Sequence, residues 1–149
     1  MAEYLANAVQ TVDLGQPILF DASIACQKGY VFHEDQTGNF ILRGITPNRF
    51  ARYQVTFNGN IAIPEGGAVT PIAIAISVNG EARPTSRAIF TPAAVDTYGN
   101  VTSTAIITVP QGCCFDLTVK YISGVTDGTT TPTPSINVIN SNLDINRIA

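Results

Sequence analysis

Large apolar residues alternate one by one with polar ones through most of this chain, in short runs broken by Gly, Pro, Asn and Asp. A period of two is the pattern of half-buried β-strands, and helical periodicity is almost absent. In Tyr53-Gln-Val-Thr-Phe57, the residues Tyr53, Val55 and Phe57 share one face while Gln54, Thr56 and Asn58 share the other. Ile72, Ile74, Ile76 and Val78 alternate with the small residues Ala73, Ala75, Ser77 and with Asn79, so the large side chains fill a core and the small ones face something else. The run Cys113, Phe115, Leu117, Val119 and Tyr121 predicts a buried face, opposite Cys114, Asp116, Thr118 and Lys120, with Cys113 buried and Cys114 more exposed. Between Val101 and Val109 the polar face carries Thr102, Thr104 and Thr108, and Ile106 stands among them as an apolar exception. Ile106 is either a contact residue or the mark of a bulge.

Weaker strands are expected over 17–20, 30–33, 39–43 and 88–91, with a final run within 136–148. Turn signals fall at Asn58-Gly59, Pro64-Glu-Gly-Gly67, Asn79-Gly80, Tyr98-Gly-Asn100 and Pro110-Gln-Gly112. About eight to ten short strands joined by such turns indicate an all-β, two-sheet sandwich or jelly roll. Residues 1–12 precede the first clear strand and form either an edge strand or an anchoring arm; the division adopted is an arm over 1–12 and a jelly-roll domain over 13–149. The segment GVTDGTTTPTPS, 124–135, is low in complexity and reads as an exposed, mobile loop carrying Thr129, Thr130 and Thr131.

Composition narrows the function. A chain of 149 residues fits one domain, and charged residues are only 13 %, about half the ~25 % usual in soluble domains. Thr, Asn, Ser and Gln must therefore cover the strands, and uncharged faces of this kind suit an oligomer interface. The eight basic residues are scattered and the net charge is −3, so the footprint for nucleic acid is missing. No apolar stretch approaches a membrane span, and the first residues lack a basic segment followed by an apolar run, so a soluble protein made in the cytoplasm is expected.

Candidate chemistry is sparse. His33 is the only histidine, which excludes paired-histidine metal sites and leaves a nucleophilic triad without a recognisable motif; beside Glu34 and Asp35 it is expected to be solvated. Adjacent carboxylates on a strand point apart and cannot flank a glycosidic bond. Asp96, Asn100 and Asp127 would bind an ion only if folding gathered them, and Asn100-Val-Thr102 fits the N-glycosylation pattern. Cys26, Cys113 and Cys114 match neither a disulfide framework nor a zinc site; free thiols are expected, with a bond from Cys26 to Cys113 or Cys114 as the alternative. Neither catalysis nor a cofactor is expected.

Five segments in order carry a resemblance: Gly38-Asn-Phe-Ile-Leu42, Tyr53-Gln-Val-Thr-Phe57, Ile74-Ala-Ile-Ser-Val-Asn-Gly80, Ala105-Ile-Ile-Thr-Val-Pro-Gln-Gly112 and Asn142-Leu-Asp-Ile-Asn-Arg-Ile148. The set resembles the jelly roll shared by tumour necrosis factor, the globular heads of complement recognition proteins and the C-terminal domains of collagen-like bacterial spore glycoproteins. That resemblance implies a ten-strand sandwich that trimerises through one sheet, with the chain ends at the trimer base. Together with the segments Ala2–Val12, Thr91–Asp96 and Val109–Cys114, it is similar to small virion proteins of tailed phages and prophages of gut bacteria. The implied protein is a non-enzymatic virion protein on the particle surface, at the head, neck or tail; a head decoration or fibre protein is the expectation adopted. Its partners would be two further copies of itself and a major capsid or other virion protein. Candidate trimer-contact residues are Gln54, Thr56, Thr104 and Ile106, and candidate capsid contacts are Tyr4, Leu5 and Val9. Thr129, Thr130 and Thr131 would lie at the distal tip, where a host surface glycan or receptor is the alternative partner.

Overall fold

The computed structural model describes residues 2–25, 29–125, 128 and 130–149. Among the described residues there are twelve strands and no α-helix: β1 (Ala2–Ala6), β2 (Gln10–Asp13), β3 (Ala22–Ala25), β4 (Val31–His33), β5 (Phe40–Arg43), β6 (Phe50–Ala62), β7 (Ile72–Val78), β8 (Glu81–Ala82), β9 (Ala88–Phe90), β10 (Gly99–Pro110), β11 (Cys114–Ser123) and β12 (Ser135–Arg147). Two antiparallel sheets share them. The first runs β10-β6-β12-β1-β3, with β2 also paired to β12; the second runs β4-β5-β11-β7-β8, with β9 also paired to β7. The chain crosses from one sheet to the other six times after β3, and this wrapping is the jelly roll expected from the alternation. The count exceeds eight to ten because β2, β3 and β8 have only two to four residues each, too few to show a period. Pro17–Phe20 forms no strand, only two isolated bridges, Pro17 with Lys120 and Phe20 with Thr37.

The inward faces agree with the alternation. Tyr53, Val55, Phe57, Leu117, Val119 and Tyr121 are all fully buried, and the hydrophobic burial of such side chains, about 1.5–3 kcal/mol each, is what holds the sheets together. Asn79-Gly80 makes the expected two-residue hairpin: Val78 pairs with Glu81, and both turn residues take positive φ, 53° and 87°, the left-handed pair that this turn needs. Asn58-Gly59, by contrast, is no turn. Strand β6 runs straight through it, and Gly59 faces a bulge in β12 where the pairing shifts between Ile139 and Asn142. A Cβ at Gly59 would lie 2.9 Å from the Phe57 ring and 3.3 Å from Ser141 Cβ, so the glycine serves close approach inside the sheet.

Residues 2–12 are part of the sandwich and not an arm outside it. Strand β1 lies between β12 and β3, with Tyr4 opposite Leu143, and β2 continues along β12 from Asp13 opposite Ser135. Tyr4 is only 2 % exposed. Its ring meets Phe40 edge-on at 4.7 Å and His33 at 4.9 Å. His33 is likewise not solvated: it stacks on Phe40 at 4.1 Å, and its two ring nitrogens face the carbonyl oxygens of Asn39 and Phe20 at 2.9 and 3.2 Å. The expectation failed because a lone histidine beside two acids carries no periodic signal, whereas its neighbours in space come from β1 and β5.

Two further corrections concern the second sheet. Cys113 is exposed, as is Cys114, because β11 begins at Cys114 and Cys113 closes the turn by donating its N–H to Pro110 O at 3.0 Å. The small face of β7 is also buried: Ala73, Ala75 and Ser77 have no exposed surface. Ser77 sits directly opposite Thr118 on β11, and neither hydroxyl oxygen has a hydrogen-bond partner among the described residues.

Adjacent residues of β11 should therefore respond to truncation in opposite senses. Leu117→Ala leaves a cavity between the sheets and is expected to cost about 2–5 kcal/mol. Thr118→Val replaces an unbonded buried hydroxyl with a methyl of the same shape and is expected to gain about 1 kcal/mol. Thermal melts of the two variants check both signs; a wild-type melting point for Leu117→Ala would overturn the facing of the strand. Deleting residues 2–12 removes β1, β2 and the Tyr4 ring, whose truncation alone costs on the order of 3–5 kcal/mol, so calorimetry of the shortened chain should show no cooperative unfolding transition.

Candidate interaction surface

Alternation gives the first sheet an outward face as well as an inward one. On β10 it presents Asn100, Thr102, Thr104, Ile106 and Thr108, and on β6 Asn60, Asn58, Thr56, Gln54 and Arg52. Direct cross-strand pairing sets Ile106 beside Gln54 and Thr104 beside Thr56, so these four sequence-selected residues form one compact patch. The register is unbroken through Ile106; it marks no bulge and stands 54 % exposed among hydroxyls.

The polar groups of this face bond chiefly to one another. Asn100 Nδ2 donates to Asn58 Oδ1 at 2.7 Å and to Asn60 Oδ1 at 3.2 Å, and Thr102 Oγ1 donates to Asn58 Oδ1 at 3.3 Å. Thr56 and Thr104 hydroxyls lie 3.2 Å apart, and Thr104 also donates to Val55 O at 3.0 Å. Further across, Asn142 Nδ2 donates to Glu3 Oε1 at 2.7 Å. The asparagine ladder went unread in the sequence because Asn58-Gly59 looked like a turn; the signal for it was the uninterrupted alternation of Phe57, Gly59 and Ile61 with Asn58 and Asn60.

Besides Arg52, two acids interrupt this polar surface. Asp144 lies opposite Glu3 on one side and Thr56 on the other. Burial and then the Glu3 charge push the Asp144 carboxyl above its ordinary 3.8, and its Oδ1 is buried without a hydrogen-bond partner among the described residues.

The other candidates scatter. Tyr4 is in the core, Leu5 is half-buried opposite Asn142, and Val9 is exposed between β1 and β2; the three form no common surface. Thr130 and Thr131 are exposed. Thr129, like Asp127 and Cys26, lies outside the described residues. The 124–135 segment is not wholly an exposed loop: Thr133 is buried, and its carbonyl accepts a 2.6 Å bond from Tyr121 OH, a phenol whose burial pushes its pKa up to about 12. Asn100 belongs to the amide ladder, and Asp96 is exposed at the turn ahead of β10. Among the described residues no three His, Cys, Asp or Glu side chains gather into a metal site.

Pairing also fixes the two ends of the sandwich. Ala2 opposite Ile145, Phe50 opposite Pro110 and Arg147 opposite Tyr53 place both chain ends together. Ser135 opposite Asp13 and Gly99 opposite Ile61 place the 124–135 segment and Tyr98 at the other end.

No family model and no curated protein sequence matches the chain. Solved structures do. The globular domain of zebrafish complement 1qA protein superposes with a TM-score of 0.58 at 13 % identity, over 95 % of this chain and 93 % of that one. Eiger TNF from S. frugiperda superposes with a TM-score of 0.63 at 11 % identity, over 100 % of this chain and 92 % of that one. At such identities the likeness speaks for architecture: this chain is a two-sheet jelly roll of the kind seen in the complement globular domain and in tumour necrosis factor.

Proposed function

We propose that the protein is a non-enzymatic structural component of a virus particle, a phage head decoration or head-fibre protein that works as a homotrimer. The observation that carries the trimer is the outward face of β6 and β10, which bears one charge, Arg52, bonds largely within itself and exposes Ile106. Such a face loses little on leaving water, since its polar groups keep their partners when it is covered. The chain alone exposes 7339 Å², the roughly 7,300 Å² expected of a compact monomer of this mass, and a lasting contact needs to cover about 1,000 Å² or more in total. The virion setting rests on the resemblance of the sequence to small virion proteins.

Attachment to the particle falls to the end that holds the chain termini, because Tyr4 is in the core and cannot grip a partner. Exposed Phe50 pairs with Pro110 at that end, exposed Ile148 donates its N–H to Arg52 O, and exposed Ile45 follows Gly44, whose N–H donates to Cys113 O; a trimer would present three such apolar rims, adding their affinities through effective concentration. The 124–135 segment would then point away from the shell. Host-surface glycan binding is a second reading, favoured by polar hollows on the opposite sheet.

Light scattering at micromolar concentration should give three times the 15.8 kDa chain mass, and Ile106→Arg should shift the protein toward monomer with its fold intact; a monomeric wild type would overturn the trimer. Cryo-electron microscopy of particles carrying the protein should show density at three-fold positions on the head, lost with Phe50→Ser. Particles that keep full density with that variant would remove the terminal end as the anchor.

A further inference from the structure

The outward face of the second sheet differs from that of the first in one chemical respect: its polar side chains are not used up by each other. Pairing sets Phe32 beside Ile41 and Ile41 beside Asp116, one row across β4, β5 and β11. One step along, Thr118 lies beside Ser77, and Lys120 lies beside Pro17. Two adjoining hollows of about 290 and 270 Å³ open on these rows and share Asn39 and Asp116. The first is walled by Gln16, Pro17, Thr118 and Lys120, the second by Phe32, Glu34, Thr37 and Ile41. Phe32 stands 54 % exposed at the rim. The Asp116 carboxylate and the Asn39 and Gln16 side-chain amides make no hydrogen bond to any described residue; Asp116 is engaged through its backbone, its N–H donating to Asn79 Oδ1 at 2.9 Å and its carbonyl accepting from Asn79 N–H at 2.8 Å.

We propose that this groove binds a neutral or N-acetylated oligosaccharide, with one sugar ring in each hollow. Each hollow is near the lower end of small-ligand pockets, about 300 Å³, which suits single rings. A sugar has an apolar C–H face and a rim of hydroxyls. The exposed Phe32 ring with Ile41 supplies a flat apolar platform for the former, and Asp116, Asn39 and Gln16 supply unspent acceptors and donors for the latter, the carboxylate making the strongest of these bonds. Charge selects the class: Glu34 and Asp116 outnumber Lys120, whose ammonium already leans 3.4 Å toward Gly80 O, so sialylated or sulfated chains are repelled. The assignment rests on the second reading above and deepens it, naming these two hollows as the site in place of the 124–135 tip, and it does not require the trimer. If the trimer forms through the first sheet, three grooves face outward and add avidity to modest single-site affinity.

The labelled full-length protein, applied to a printed array of neutral, N-acetylated and sialylated oligosaccharides, should be retained on the first two classes and not on the third. Calorimetric titration with the best-retained neutral glycan should then weaken about tenfold in each of Phe32→Ala and Asp116→Asn, the loss of roughly one such contact, in samples whose melting points match wild type. Ile106→Arg should leave single-site affinity unchanged, which separates this site from the subunit contact. No retention on neutral or N-acetylated glycans, preference for sialylated ones, or wild-type affinity in both groove variants would each overturn the assignment.

Discussion

Every strand of the first sheet is hydrogen-bonded, directly or through one neighbour, to the final strand Ser135–Arg147, which takes β6 on one edge and β1 then β2 on the other. The sheet therefore cannot close until the last residues of the chain meet the first: Ala2 pairs with Ile145 and Tyr4 with Leu143. Contacts so distant in sequence carry a large loop-closure cost before they return any stability, which makes the fold slow to form and cooperative once formed. The bulge near Asn140 is the adjustment that lets one strand serve both edges. It falls where β1 gives way to β2, and Ser141, within it, donates its hydroxyl to Ala6 O at 3.3 Å.

That constraint explains which parts of the fold could be read from sequence. Long strands with a wet side and a dry side declare themselves, so β6, β7, β10, β11 and β12 were legible together with the hairpin at Asn79-Gly80. Strand β1 was not, because Ala2, Tyr4 and Ala6 make a weak alternation whose meaning comes from a partner about 140 residues away. His33 was misread for the same reason, since its surroundings are assembled from the Tyr4 ring of β1, the Phe40 ring of β5 and the Phe20 carbonyl. Cys113 was misread through a boundary error of one residue, and boundaries are set by turn hydrogen bonds that the side-chain pattern does not encode.

The candidate surface was legible in the same measure. Gln54, Thr56, Thr104 and Ile106 lie together because alternation and register follow from the same backbone geometry. Asn58, Asn60 and Asn100 escaped because asparagine followed by glycine signals a turn in most contexts, and only the packing of Gly59 against Phe57 and Ser141 shows why it is in a strand here. The Glu3–Asp144 pair also escaped, being 141 positions apart in sequence and opposite each other in the sheet.

The two outward faces show how one sandwich can carry two different roles. On the first sheet, asparagine and threonine side chains satisfy one another, so covering the face leaves few groups stranded and costs little, which suits the proposed subunit contact. On the second sheet, Asp116, Asn39 and Gln16 remain without side-chain partners beside an exposed aromatic ring, and covering those with another protein's flat face would strand them. A ligand that brings its own hydroxyls is the better complement. Fold likeness to complement and tumour necrosis factor domains does not choose between such uses, because function belongs to the side chains placed on a fold and not to the fold itself; in the proposed reading the pattern of internal hydrogen bonding divides the labour, assembly on one sheet and recognition on the other.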